Sequence, residues 1–253
     1  MAGKKPKTPP PPRRVQAPAQ RKDTRQRGSG DRQRTTLYAI SAAGIVALIA
    51  VVAFVALSGK SSTPNDTKVA AAMTSAGCTF KTVKAYVPAG QGTHVPSLTA
   101  KLPWNTTPPS NGQHYPLWAV WGFYTSAVNP RMVVHDEEHG GVILWWGSKV
   151  LRSTVSKLHA LYDEQPDGTF GTPFPELGSK IAITAWTGNP ATYQQNGDFG
   201  KGHIAICPKF TPKVEKAFVA FRDTFRGHGP EGIPLSEDEP GDGPSGAMTT
   251  PTQ

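Results

Sequence analysis

Leu37 to Leu57 is a run of 21 residues without one charge, and it divides the chain into parts that cannot share a core. At about 1.5 Å per residue a helix of this length spans roughly 30 Å, the thickness of a bilayer's hydrocarbon interior. A signal peptide has a shorter apolar run, a short basic leader and a small-residue cleavage site. Here the leader is long, and Val55-Ala56-Leu57-Ser58 is a poor cleavage site. The run therefore reads as an uncleaved single-pass anchor with the lipid bilayer as its partner. Lys and Arg crowd its N-terminal side, whereas only Lys60 and Lys68 lie close beyond it. That bias places the N-terminus in the cytoplasm and the rest of the chain outside it.

The charge distribution follows the same division. Residues 1–36 carry eleven Lys and Arg against two acids, which accounts for the whole net charge of +9. The remainder balances sixteen bases with sixteen acids. The basic pI thus belongs to a Pro-rich tail and is no sign of a nucleic-acid surface on the folded part. Such a tail buries too little apolar surface to offset its ordering entropy, so 1–36 reads as disordered. Residues 58–65 form a short polar linker, and 230–253, acidic and Pro/Gly-rich without Lys or Arg, read as a second disordered tail. A single domain over 66–229 is what remains.

Within that domain the periodic segments are uneven. Asp66 opens a short helix ended by Gly77. Residues 79–116 hold six prolines and read as ordered loop or short extended pieces. Met132–Val134 and Gly141–Trp146 read as strands. Ser148 reads as the cap of a helix with Leu151, Val155, Leu158 and Tyr162 on one face. Asp163–Pro175 is turn-rich, and Lys180–Trp186 and His203–Cys207 read as strands. Thr211-Pro212 opens a last helix with Val214, Phe218, Phe221 and Phe225 on its apolar face, closed by Gly227. From residue 131 onward the order is strand, strand, helix, strand, strand, helix. The expected fold is α+β, a small two-layer sandwich of two amphipathic helices on a mixed or antiparallel sheet.

The chemistry is concentrated between two apolar runs, in His135-Asp136-Glu137-Glu138-His139. His114 lies 21 residues earlier, and His94 earlier still. His114, His135, His139, Glu138 and His94 supply enough nitrogen and oxygen donors for a zinc or copper ion. His-x-x-Glu-His also spells the inverted zinc-protease signature, which requires a long helix. The β-branched residues before it and Gly140-Gly141 after it leave room for about one turn, which disfavours a peptidase. A hydrolase with Glu138 as general base needs an open coordination position and a cleft, and the sequence shows neither. His159, His203 and His228 read as structural.

Six tryptophans are many for such a domain. Trp145 and Trp146 are neighbours on a strand and so face opposite sides, which leaves one of them partly exposed. Tyr115, Trp118 and Trp121 suggest a contact surface, and with it a second reading: a non-enzymatic envelope adaptor with a protein partner. Cys78 and Cys207 both lie in the exported part. An oxidising compartment permits a disulfide between them, and two buried thiols are the alternative.

Two stretches carry a resemblance. Pro108-Pro109-Ser110-Asn111-Gly112-Gln113-His114-Tyr115-Pro116, continued by Trp118, Trp121 and Tyr124, resembles the family called domain of unknown function 3105. So does Val134-His135-Asp136-Glu137-Glu138-His139-Gly140-Gly141-Val142. The resemblance runs from about Gly77-Cys78 to Phe225. The family pattern has Ser-Gly-Pro-His where this chain has Asn111-Gly112-Gln113-His114. It has His-Asn-Leu-Glu-His at positions 135–139, so Asp136 and Glu137 depart from it. The resemblance implies an exported domain behind one transmembrane helix and marks His94, His114, His135, Glu138 and His139. It implies no established activity.

Overall fold

A computed structural model of the chain describes residues 65–244. The basic tail, the anchor over Leu37–Leu57, the linker up to residue 64 and residues 245–253 lie outside the described residues. Among the described residues no helix is long and apolar enough to cross a membrane.

The domain begins with helix α1 (Asp66–Ser75), where the Asn65 side chain accepts from the Lys68 amide at 3.2 Å. Strand β1 (Thr79–Lys84) follows. Helix α2 (Pro130–His139), β2 (Val142–Trp146), helix α3 (Arg152–Asp163) and β3 (Thr169–Pro173) come next. The order ends with β4 (Ile181–Thr187), β5 (Lys201–Cys207) and helix α4 (Pro212–Phe225). The five strands form one mixed sheet in the order β1-β5-β4-β2-β3. Every pairing is antiparallel except β2 with β3, whose parallel register is reached through α3.

The α+β class holds, but the sheet is covered on both faces rather than one. Side chains alternate along a strand. Val142, Leu144, Trp146, Ile181, Ile183 and Ala185 pack with residues of α1, α3 and α4. Ile143, Trp145 and Ala182 point the other way, against Met132 and Val133 of α2 and against Trp121, Tyr124 and Val128. Trp145 and Trp146 do face opposite sides, yet they are 0 % and 5 % exposed, so neither lines a surface. Helix α4 is as expected: Thr211 caps it through Val214, and Val214, Phe218, Phe221 and Phe225 are buried. Each such aromatic side chain contributes about 1.5–3 kcal/mol on burial.

Further expectations are overturned. Met132–Val134 is not a strand. Asn129 caps the Arg131 amide at 3.1 Å and Pro130 occupies the first turn, and together they start α2 despite its two valines. Helix α3 starts later than Ser148, at Arg152 after an N-cap without side-chain bond, and Leu151 is 71 % exposed instead of core. Ser148 donates to the Pro175 carbonyl. Finally, residues 230–244 are not a free tail. Gly168 N donates to Asp238 O at 2.9 Å, and Trp121 and residues 241–242 exchange two backbone bonds of 2.9 Å. Composition showed that this segment lacks a core of its own, but not that it lacks one to lie on.

Cys78 and Cys207 are joined in a disulfide that ties the start of β1 to the end of β5.

Candidate metal centre

Two unlike pieces of chain bring the histidines together. His94 and His114 sit on two extended segments joined by a backbone bridge, with Val95 N to His114 O at 2.7 Å and His114 N to Thr93 O at 2.8 Å. His135, Glu138 and His139 lie at i, i+3 and i+4 of α2 and so share one helix face. That face meets the His94–His114 bridge. Asp136 points elsewhere and accepts from the Ala119 amide at 3.2 Å.

Three imidazoles converge on one oxygen. Glu138 Oε2 is 3.0 Å from His114 Nε2, 3.6 Å from His94 Nε2 and 3.8 Å from His135 Nε2. The opposite nitrogens of two rings are already engaged: His114 Nδ1 with the Gly112 carbonyl at 2.8 Å, and His135 Nδ1 with the Tyr115 carbonyl at 3.0 Å. A carbonyl only accepts, so each Nδ1 is the protonated nitrogen and donates. Each Nε2 faces the carboxylate, and presents a lone pair to it when the ring is neutral. The Tyr193 hydroxyl donates to Glu138 Oε1. His114, His135 and Glu138 are buried, whereas the His94 side chain is 45 % exposed and forms the open wall.

A second group lies beside the first. His139 Nε2 faces Glu231 Oε2 at 3.7 Å, and its Nδ1 meets Asp238 Oδ1 at 3.4 Å. The Trp118 ring packs against both His135 and His139, with centroids 5.5 and 4.8 Å away. Gly229 makes this approach feasible, since a Cβ there would stand 2.3 Å from Gly140 N and 2.5 Å from Glu138 O.

Burial pushes the His135 imidazole down to about 3, and the charge of His114 adds to the effect, so the ring stays neutral. Burial works against an ionised Glu138, but its close contacts with His114 and His94 and the hydrogen bond from Tyr193 outweigh it and hold the carboxyl below its usual range. The hydrogen bond to Glu138 raises His94. Burial raises the Tyr193 hydroxyl, keeping it a donor. Burial also raises Asp136 and Glu137 on the same helix, both fully buried, which favours their neutral forms.

The arrangement suits a cation. Ligand atoms around tetrahedral zinc at 2.0–2.1 Å stand about 3.3 Å apart. The three nitrogen–oxygen separations of 3.0, 3.6 and 3.8 Å bracket that edge. His114 Nε2 and Glu138 Oε2 are both buried without a hydrogen-bond partner. Two buried acceptors in contact repel unless a proton or a metal ion lies between them.

Of the five expected ligands, His94, His114, His135 and Glu138 form one group with ligand atoms within 4.8 Å of one another. His139 is separated from it and groups with His135 and Glu231. Glu231, Asp238 and Tyr193 were not foreseen. The objection that α2 has no room to form falls, since it runs for ten residues. The helix alone does not favour a protease role, since Glu138 stands among the imidazoles as a candidate ligand rather than apart from them. The residues of the expected contact surface differ in exposure. Trp121 is 2 % exposed, Tyr115 and Trp118 are half-buried, and Trp118 faces the histidines.

Residues 94–196 match the model of a family described as a protein of unknown function, DUF3105. The match spans His94, His114, His135, Glu138, His139 and Tyr193 but ends before Glu231 and Asp238. No curated protein and no solved structure matches the chain.

Proposed function

We propose that this domain, similar over its central part to a family of unknown function, binds a divalent transition metal ion, zinc or copper. The ligands are Nε2 of His94, His114 and His135 and an oxygen of Glu138. One observation carries this reading: buried His114 Nε2 lies 3.0 Å from buried Glu138 Oε2, while its Nδ1 is committed to Gly112. A metal ion satisfies both atoms at once. The carbonyls on Nδ1 and the tyrosine on Glu138 fix the orientation of the ligands, as partners behind metal-bound residues do. Imidazole and carboxylate donors suit zinc and copper(II) alike. The exposed edge of His94 provides a route for exchange, which fits metal handling as well as a structural ion.

We place this domain outside the cytoplasm behind a single-pass anchor. The uncharged run over 37–57, the basic residues before it and a disulfide suited to an oxidising compartment support that placement.

The test is elemental analysis of the full chain, purified in detergent without a histidine tag. The expected result is near-stoichiometric zinc or copper, lost in His114→Ala and in His135→Ala. A metal-free protein whose melting temperature does not move on adding either ion would overturn the reading.

A further inference from the structure

The geometry points to a second cation bound beside the first, held by His135, His139 and Glu231, and this inference rests on the metal-binding reading above. The ligand atoms of these three residues lie within 4.8 Å of one another. They repeat the pattern of the first group: an imidazole whose Nδ1 meets an acceptor and whose Nε2 faces a carboxylate oxygen. For His139 the acceptor is Asp238 Oδ1 at 3.4 Å, and the carboxylate is Glu231 at 3.7 Å. Asp238 is 0 % exposed and its other oxygen has no partner, so a buried acid stands behind the site.

One ion cannot serve all six residues. Ligands at about 2.0–2.1 Å from a common zinc stand no more than roughly 4.2 Å apart even when opposite. His139 and Glu231 fall in a separate group from His94, His114 and Glu138, with His135 common to both. His135 Nε2 has one lone pair and serves one ion at a time. With two ions present, His94, His114 and Glu138 hold the inner one and His135, His139 and Glu231 the outer one. Each then has two imidazoles and one carboxylate. Glu231 is 29 % exposed, so the outer position also meets solvent, as the inner one does at His94.

The inference is tested on the full chain by titration with copper(II), followed by elemental analysis after dialysis and by electron paramagnetic resonance. Two equivalents are expected, with the signal broadened by coupling once the second is bound. Glu231→Gln and His139→Ala should each retain one equivalent with an isolated-ion spectrum. Glu231→Gln is the conservative arm, because the residue is partly exposed. Saturation at one equivalent, unchanged in both variants, overturns the second site and leaves the first standing. No bound copper in the wild-type chain overturns both.

Discussion

Replacing Glu138 with glutamine should invert the order of stability between the metal-free and metal-loaded proteins. In the metal-free wild type, His114 Nε2 meets a buried carboxylate oxygen at 3.0 Å, and neither atom has a hydrogen-bond partner. Glutamine presents an NH2 group to that nitrogen and keeps a carbonyl oxygen for the Tyr193 hydroxyl. An unpartnered contact becomes one hydrogen bond, and a buried charge disappears. A buried hydrogen bond gained in this way contributes about 1–2 kcal/mol. For a domain of this size that raises the melting temperature by roughly 2–8 °C. With zinc at a hundred times its dissociation constant, the wild type gains about 2.7 kcal/mol. The variant, without its charged ligand, should gain little at the same zinc concentration. Calorimetry in chelator and in excess zinc should therefore show Glu138→Gln above wild type in the first and below it in the second. A variant that melts below wild type in chelator would refute the reasoning. It would mean that a proton on an imidazole, not a metal, balances Glu138.

Two further outcomes concern the scaffold. His203 is 1 % exposed, bonded to Thr82 and Thr187, and burial lowers its imidazole to about 4. Its unfolded form takes up a proton below about 6.5, so stability is full above that pH and falls by about 3 kcal/mol as the pH drops to 4. Urea midpoints at pH 7 and pH 4.5 should show this loss, and His203→Gln should flatten it; an unchanged slope in the variant counts against His203 as the cause. The second outcome concerns the bridge between Cys78 and Cys207, 129 residues apart. Replacing both cysteines with serine should cost about 5 kcal/mol in the chain-entropy picture, measured by urea unfolding, and a loss below about 1 kcal/mol would sink that account.

What could be read in advance divides along physical lines. Helix α4 and strands β4 and β5 announce themselves because their apolar residues repeat at the spacing of one buried face. Strand β1 does not, since it is a sheet edge with mostly exposed side chains. Strand β3, with Gly171 and Pro173 in five residues, looks like a turn, but Phe123 packs against the space above Gly171 and requires that glycine. Helix α2 was hidden by Val133 and Val134. The sign of a helix, Asn129-Pro130 in the cap and first-turn places, was present but outweighed by them. The inner candidate ligands were legible because polar, metal-competent side chains beside apolar runs are unusual. Tyr193, Glu231 and Asp238 reach the site from loops with no periodicity, and only the closed fold shows where they arrive.

The proposed ligands are spread along the chain from His94 to Glu231, and Glu231 comes after helix α4. Among the described residues the pocket has two unlike walls: helix α2 with the His94–His114 bridge, and residues 229–242, which dock on the rest backbone to backbone. A cation held by His135, His139 and Glu231 would tie that second wall to helix α2. A chain cut at residue 229, where composition places the end of the domain, would keep its core and its inner histidines. It would lack the last wall of the pocket.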